Sequence, residues 1–134
     1  MKFTWTWTGE KTDIEAVLKC VGEGWKSIIT VLCEDLFTLG WDGKVTQVKE
    51  KFGGLRFYCE TDSIDSKFHG IANRLIQFAE DQSYYYCEVC GKHGSKRSPK
   101  DGGWIKTFCR DHAVEFGYVL KNWEKESEQD RKKA

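Results

Sequence analysis

Four side chains in two close pairs constrain this chain more than any other feature. Cys87-Glu88-Val89-Cys90 is a Cys-x2-Cys pair and Cys109-Arg110-Asp111-His112 is a Cys-x2-His pair, with eighteen residues between them. Zinc takes a tetrahedron of thiolate sulfur and imidazole nitrogen, and each close pair supplies one edge of it. Between the pairs lie Gly91, Gly94, Pro99 and Gly102-Gly103, then the apolar run Trp104-Ile105-Lys106-Thr107-Phe108. This order predicts a knuckle, a loop, a short strand and a second ligand pair at the start of a helix. The helix is expected from Cys109 to about Glu126, with Ala113, Phe116, Val119, Leu120 and Trp123 on one face at helical steps.

Knuckle, hairpin and a helix carrying the last ligands resemble a treble-clef zinc finger. With Cys87, Cys90, Cys109 and His112 all bound, the metal has no open position, so a structural Zn2+ is expected rather than a catalytic one. His93, just after the knuckle, is the alternative to His112, but close spacing favours His112. The competing reading is two unrelated cysteine pairs packed as small hydrophobes.

Length and composition bound the rest. At 134 residues the chain has room for one ordinary domain or a small one with an appended finger. Its 21 Lys and Arg balance 21 Asp and Glu, which argues against broad capture of nucleic acid by net charge and leaves room for a local basic patch. Of six cysteines, three remain after the ligands: Cys20, Cys33 and Cys59. An odd, scattered remainder is no disulfide framework. The first residues, Met1 to Thr8, lack the apolar core of a secretory signal, and no run approaches a membrane span. A cytoplasmic protein with reduced thiols, away from membranes, is the expectation.

The expected class is α+β, divided into an N-terminal region over 1–84, a finger over 85–123 and a charged helical tail over 124–134. Phe3, Trp5 and Trp7 alternate with threonines and predict a strand with its aromatics on one face. Thr12 or Asp13 caps a short helix to about Lys19, and a second helix runs from about Gly24 to Leu39, closed by Gly40. Residues 45–51 and 55–59 alternate around Gly53-Gly54 and predict a β-hairpin with a two-residue turn. That turn sets Lys51 opposite Arg56, Glu50 opposite Phe57, Lys49 opposite Tyr58 and Val48 opposite Cys59. Val48, Phe52, Leu55, Phe57 and Cys59 then face the core, with Glu50 an oddity at the sheet margin. Gln47, Lys49, Lys51, Arg56 and Tyr58 face outward. A third helix is expected over about 63–83, with Ile64, Phe68, Ile71, Leu75, Phe78 and Ala79 inward.

The segments QVKEKFGGLRFY, CEVCGKHG, GGWIKTFC and DHA resemble those of a group of small zinc-knuckle proteins carried by phages, prophages and bacteria. The likeness covers roughly residues 24–114 and brings no established activity with it. Where such proteins are phage-borne, it implies an accessory or counter-defence role.

Catalysis is poorly provisioned. The deaminase signature needs His-x-Glu before Pro-Cys-x-x-Cys, and His69-Gly70-Ile71 fails it. No phosphate-binding G-x4-G-K-[ST] loop is present, and Gly53-Gly54 opens no helix. His69 reads as a spectator beside an apolar face. With no acid–base constellation, the expectation is a protein that is not an enzyme.

Binding is better supplied. Lys49, Lys51, Arg56 and Tyr58 share the outer hairpin face, and two ammonium groups, a guanidinium and a phenol suit a nucleotide-like phosphorylated ligand. Its competitor is an ordinary solvated face. A second basic cluster, Lys92, Lys96, Arg97, Lys100, Lys106 and Arg110 against Asp101, lies in the finger. Two functions follow: sequestration of a nucleotide-like ligand on the hairpin, with a homodimer as one way to enclose it, or docking of the finger on nucleic acid or a host protein.

Overall fold

The computed structural model describes residues 1–120, and their architecture is α+β. The strands are β1 (Phe3–Trp5), β2 (Lys11–Thr12), β3 (Lys44–Lys51), β4 (Gly54–Cys59), β5 (Ser95–Pro99), β6 (Lys106–Phe108) and β7 (Tyr118–Leu120). The helices are α1 (Ile14–Leu18), α2 (Lys26–Thr38), α3 (His69–Ser83) and α4 (Arg110–Phe116). Single 3-10 turns, Glu23–Trp25 and Ser66–Phe68, lead into α2 and α3. The charged tail over 124–134 and Trp123 lie outside the described residues. No helix among the described residues is long and apolar enough to cross a membrane.

The first sheet runs β2-β1-β3-β4 and the second β6-β5-β7. β1 pairs parallel to β3, so the N-terminal strand extends the hairpin. Phe3 is buried, Trp5 is half-buried, and Trp7, which the alternation put on the same face, lies past the strand end at 72% exposure. Asp13 caps α1 by accepting from the Ala16 N–H at 2.9 Å. The α2 stripe Ile29, Leu32, Cys33 and Leu36 is buried with Trp25, and Phe3, Phe37, Trp41 and Phe57 meet edge-on or tilted in the centre of the core.

The hairpin differs from its sequence reading by one turn residue. Lys51 pairs with Gly54, Glu50 with Leu55, Lys49 with Arg56, Val48 with Phe57 and Gln47 with Tyr58. The turn is therefore Phe52-Gly53, both at positive φ (55° and 80°), the signature of a type I′ turn. Tertiary contacts decide it. A Cβ on Gly54 would sit 2.3 Å from Tyr84 Cζ, so Gly54 is spent on admitting that ring, and the Thr107 hydroxyl donates to Gly53 O at 2.6 Å. Moving the turn by one residue moves both strands in phase, so Val48, Leu55 and Phe57 stay inward and buried. Phe52 does not: it leaves the core face for the turn, 51% exposed.

β4 is the sheet edge, and α3 covers it. Ser83 Oγ accepts the Leu55 N–H at 2.8 Å and Glu80 accepts the Phe57 N–H at 2.9 Å, which blunts the open edge. The buried face of α3 is Ala72, Ala79 and Ser83, with Leu75 and Ile76 packed beside them. Ile71 and Phe78, expected inward, are exposed. His69, read as a spectator, is half-buried and bonds Ile64 O at 2.7 Å. α4 is also shorter than expected. Gly117, at φ 73°, ends it, and Tyr118–Leu120 pairs with β5 instead of continuing the helix. Val119 and Phe116 are consequently exposed, while Leu120 is buried.

Candidate metal centre and cationic face

Local backbone geometry sets the four ligands. Gly91 N–H returns to Cys87 O at 2.9 Å with Gly91 at φ 78°, closing the knuckle that carries Cys87 and Cys90. Cys109 stands at the N-cap of α4, where its sulfur accepts from the His112 N–H at 3.5 Å. The first turn of the helix then returns His112 to the same side. The sulfurs and imidazole nitrogen of Cys87, Cys90, Cys109 and His112 all lie within 4.8 Å of one another.

The edges fit zinc. Sulfurs about 2.3 Å from a tetrahedral zinc stand about 3.8 Å from each other and about 3.5 Å from the imidazole nitrogen. Cys90 and Cys109 sulfurs are 3.7 Å apart, and His112 Nδ1 is 3.5 Å from Cys87 Sγ and 3.2 Å from Cys109 Sγ. Nδ1 therefore faces the sulfurs, and Nε2 lies 4.0 Å from a Glu115 carboxylate oxygen, on the side where an outer carboxylate orients a ligating imidazole. Burial raises the Cys87 thiol, but N–H groups of Cys109, Cys90 and Val89 outweigh it and bring the thiol down to about 7. That environment favours the thiolate a metal needs. His93 stays outside the cluster. Cys33 and Cys59 are pushed up by burial to about 12 and about 11, as inert core thiols are.

A polar bridge the sequence did not disclose ties the knuckle to the hairpin turn. Glu88, inside the Cys87–Cys90 loop, is buried and accepts the Thr107 N–H at 2.7 Å. Lys106 bonds Glu50 directly and stands 3.7 Å from Glu88. Glu50, the oddity on the core face, also accepts the Gly53 N–H at 3.1 Å. Burial raises Glu88 to about 7, against the pull of Thr107 and Lys106. On the other side, Gly24 N–H donates to Glu88 O at 2.8 Å and Trp25 Nε1 to Tyr86 O at 2.9 Å.

The finger's basic cluster is partly consumed by this packing. Lys106 serves the carboxylate bridge. Arg97 is buried, with Nε donating to Phe108 O at 3.0 Å. On the hairpin's outer face, Lys49, Arg56 and Tyr58 come together as the alternation predicts, with different neighbours. Lys49 is directly opposite Arg56, and its ammonium lies 5.8 Å from the Tyr58 ring. Lys51 lies opposite Gly54 and 5.5 Å from the Phe52 ring.

Arg56 Nη2 donates to Tyr84 Oη at 3.0 Å. Burial acts against the Arg56 charge, but the Tyr84 bond and the nearby Glu80 outweigh it and raise its pKa. Tyr84, from a tyrosine run with no periodicity to flag it, was not foreseen as part of this face.

No protein-family model, curated protein or solved structure matches the chain.

Proposed function

We propose that this is a non-enzymatic zinc protein that binds a nucleotide-like phosphorylated ligand on the outer face of the β3–β4 hairpin. One observation carries the reading. Lys49 and Arg56 are cross-strand neighbours, an unfavourable like-charge pair, and neither has a carboxylate within ion-pairing distance among the described residues. An anion between them removes the repulsion. Arg56 makes the directional contact, Lys49 and Lys51 add charge, and Tyr58 offers an exposed ring. The metal is structural zinc on Cys87, Cys90, Cys109 and His112, and no water-bearing position is needed of it. The likeness to phage-borne knuckle proteins supports reading such binding as sequestration of a host signal.

The test is titration calorimetry against nucleoside mono- and diphosphates, with wild type and Arg56→Ala compared. Arg56→Ala weakens binding by about 1.5–3 kcal/mol, the scale of a charge-assisted hydrogen bond, and leaves zinc content unchanged. Equal affinities of the two proteins sink the assignment of this face. Trp104, 72% exposed in the connection between β5 and β6 that also carries Lys100, favours the second reading, a finger that docks on nucleic acid or a host protein. A wild type that binds no phosphorylated small molecule turns the choice toward it.

A further inference from the structure

The hairpin face does not end at the hairpin. Tyr84 lies over Gly54 and is held from two directions by cations of two different sheets. Arg56 of β4 donates to its hydroxyl at 3.0 Å, and the Lys96 ammonium of β5 stands 4.1 Å from its ring centroid. These contacts form one continuous row: Tyr58, then Lys49 at 5.8 Å from that ring, then Arg56 across the strands, then Tyr84, then Lys96. Lys51 and the exposed Phe52 add a second cation–ring pair at the turn. Two cations, Lys49 and Arg56, stand between the rings of Tyr58 and Tyr84, and a third, Lys96, stands against Tyr84 from the finger. Lys96, like Lys49, Lys51 and Arg56, has no carboxylate within ion-pairing distance among the described residues. Glu80 acts on Arg56 from nearby, and its carboxylate is held by the Phe57 N–H at the strand edge.

A mononucleotide presents one base and one phosphate cluster and would use only the Tyr58, Lys49 and Arg56 end. A single strand presents successive phosphates with bases between them, and it can use a row whose cations are spread over two sheets with rings among them. Resting on the hairpin-face reading above, we propose that the ligand is a short single-stranded oligonucleotide. One phosphate lies between Lys49 and Arg56 and a neighbouring one at Lys96, with an exposed ring, Tyr58 or Phe52, under a base. The finger then takes part in binding by holding Lys96. β5 is fixed by its pairing with β6 and by the buried Arg97 next to Lys96.

The experiment compares tetrathymidylate with thymidine 5′-monophosphate on zinc-loaded protein, by fluorescence anisotropy and calorimetry over a salt series. Wild type binds the tetranucleotide at least tenfold more tightly than the monophosphate. Lys96→Met, which keeps an unbranched apolar side chain without the charge, loses about five- to tenfold on the tetranucleotide and nothing on the monophosphate. Its slope of log affinity against log salt falls by about 0.7, one phosphate contact. Arg56→Ala weakens both ligands. Zinc content and melting temperature of Lys96→Met match wild type, so a folding defect is separable. A tetranucleotide bound no better than the monophosphate, or an unchanged tetranucleotide affinity in Lys96→Met, overturns the proposal while leaving the hairpin site standing. Loss on Lys96→Met with no effect of Arg56→Ala overturns the hairpin site and this proposal with it.

Discussion

The region before the knuckle and the finger after it solve the same stability problem by different means. Among the described residues, the first buries fifteen apolar side chains around Trp25, Ile29, Leu36 and Phe57. The core cluster of the second has four, Cys87, Phe108, Cys109 and Ala113, and two of those belong to the Cys/His cluster. A core of the first kind holds a fold by removing apolar surface from water. A core of the second kind is too small, and folds of that size need a metal or a neighbour. The finger offers a place for the one and contacts for the other: the Cys87, Cys90, Cys109 and His112 cluster, compatible with a metal, and the bridge through Glu88, Lys106 and Glu50 to the hairpin turn.

The comparison breaks most readily at the metal. If the cluster holds zinc as proposed, Cys90→Ser, or chelation of wild type, should remove a contribution of the order of 10 kcal/mol, the scale of structural zinc sites at neutral pH. Residues 87–120 should lose amide protection in hydrogen exchange while α2, β3 and β4 keep theirs. Acidification should act the same way, because binding a metal requires deprotonated ligands. Protection lost in α2 along with the finger would mean that the two regions fold as one unit.

Phe57→Ala attacks the other side. The ring is 2% exposed and meets Trp41 at 6.1 Å, so its loss should cost about 3–5 kcal/mol in denaturant unfolding without lowering zinc stoichiometry. A cost below about 1 kcal/mol would place Phe57 outside the core.

Lys106→Met tests the bridge itself. It leaves Glu50 and the buried Glu88 without their cation, and a third of the lysine side chain is already in water. The expected cost is about 1–3 kcal/mol, below the range for a fully buried pair. Glu50→Gln in the same background should recover part of it, and strict additivity of the two changes would show that the bridge carries no coupling.

These regions were also unequally legible in the sequence. The metal cluster was readable because its information is local: two pairs at spacing two, each shaped by a turn or a helix start. The faces of β3 and β4 were readable from alternation. The register was not, because the turn is chosen by Tyr84 over Gly54 and by Thr107 on Gly53, residues far along the chain. The end of α4 had a local sign in Gly117, but Val119, Leu120 and Trp123 continued the helical spacing and outweighed it. In α3 the apolar spacing was real, yet the helix buries Ala72, Ala79 and Ser83 because small residues let it approach the edge of β4. Lys106 and Glu88 were visible as charges, and only folding shows that they meet.

The smallest effect sharpens the comparison at the point where the two regions touch. Phe52 is a bulky residue at φ 55°, a conformation that costs an L-residue about 1 kcal/mol, and half of its surface is in water. Neither the core nor the finger gains what a buried phenylalanine gives. Asparagine tolerates this conformation and is favoured before glycine in a type I′ turn, so Phe52→Asn relieves strain without loosening the unfolded chain as glycine would. Against that stands the ring's contact with Lys51, worth about 0.5 kcal/mol at an exposed site. The net expectation is a gain of up to about 0.5 kcal/mol in stability, read as a small rise in denaturant midpoint. Tetrathymidylate affinity should fall in the same protein, because the ring is one of the exposed aromatics available to a base. Stability lost with binding unchanged would make Phe52 a packing residue and remove it from the ligand face.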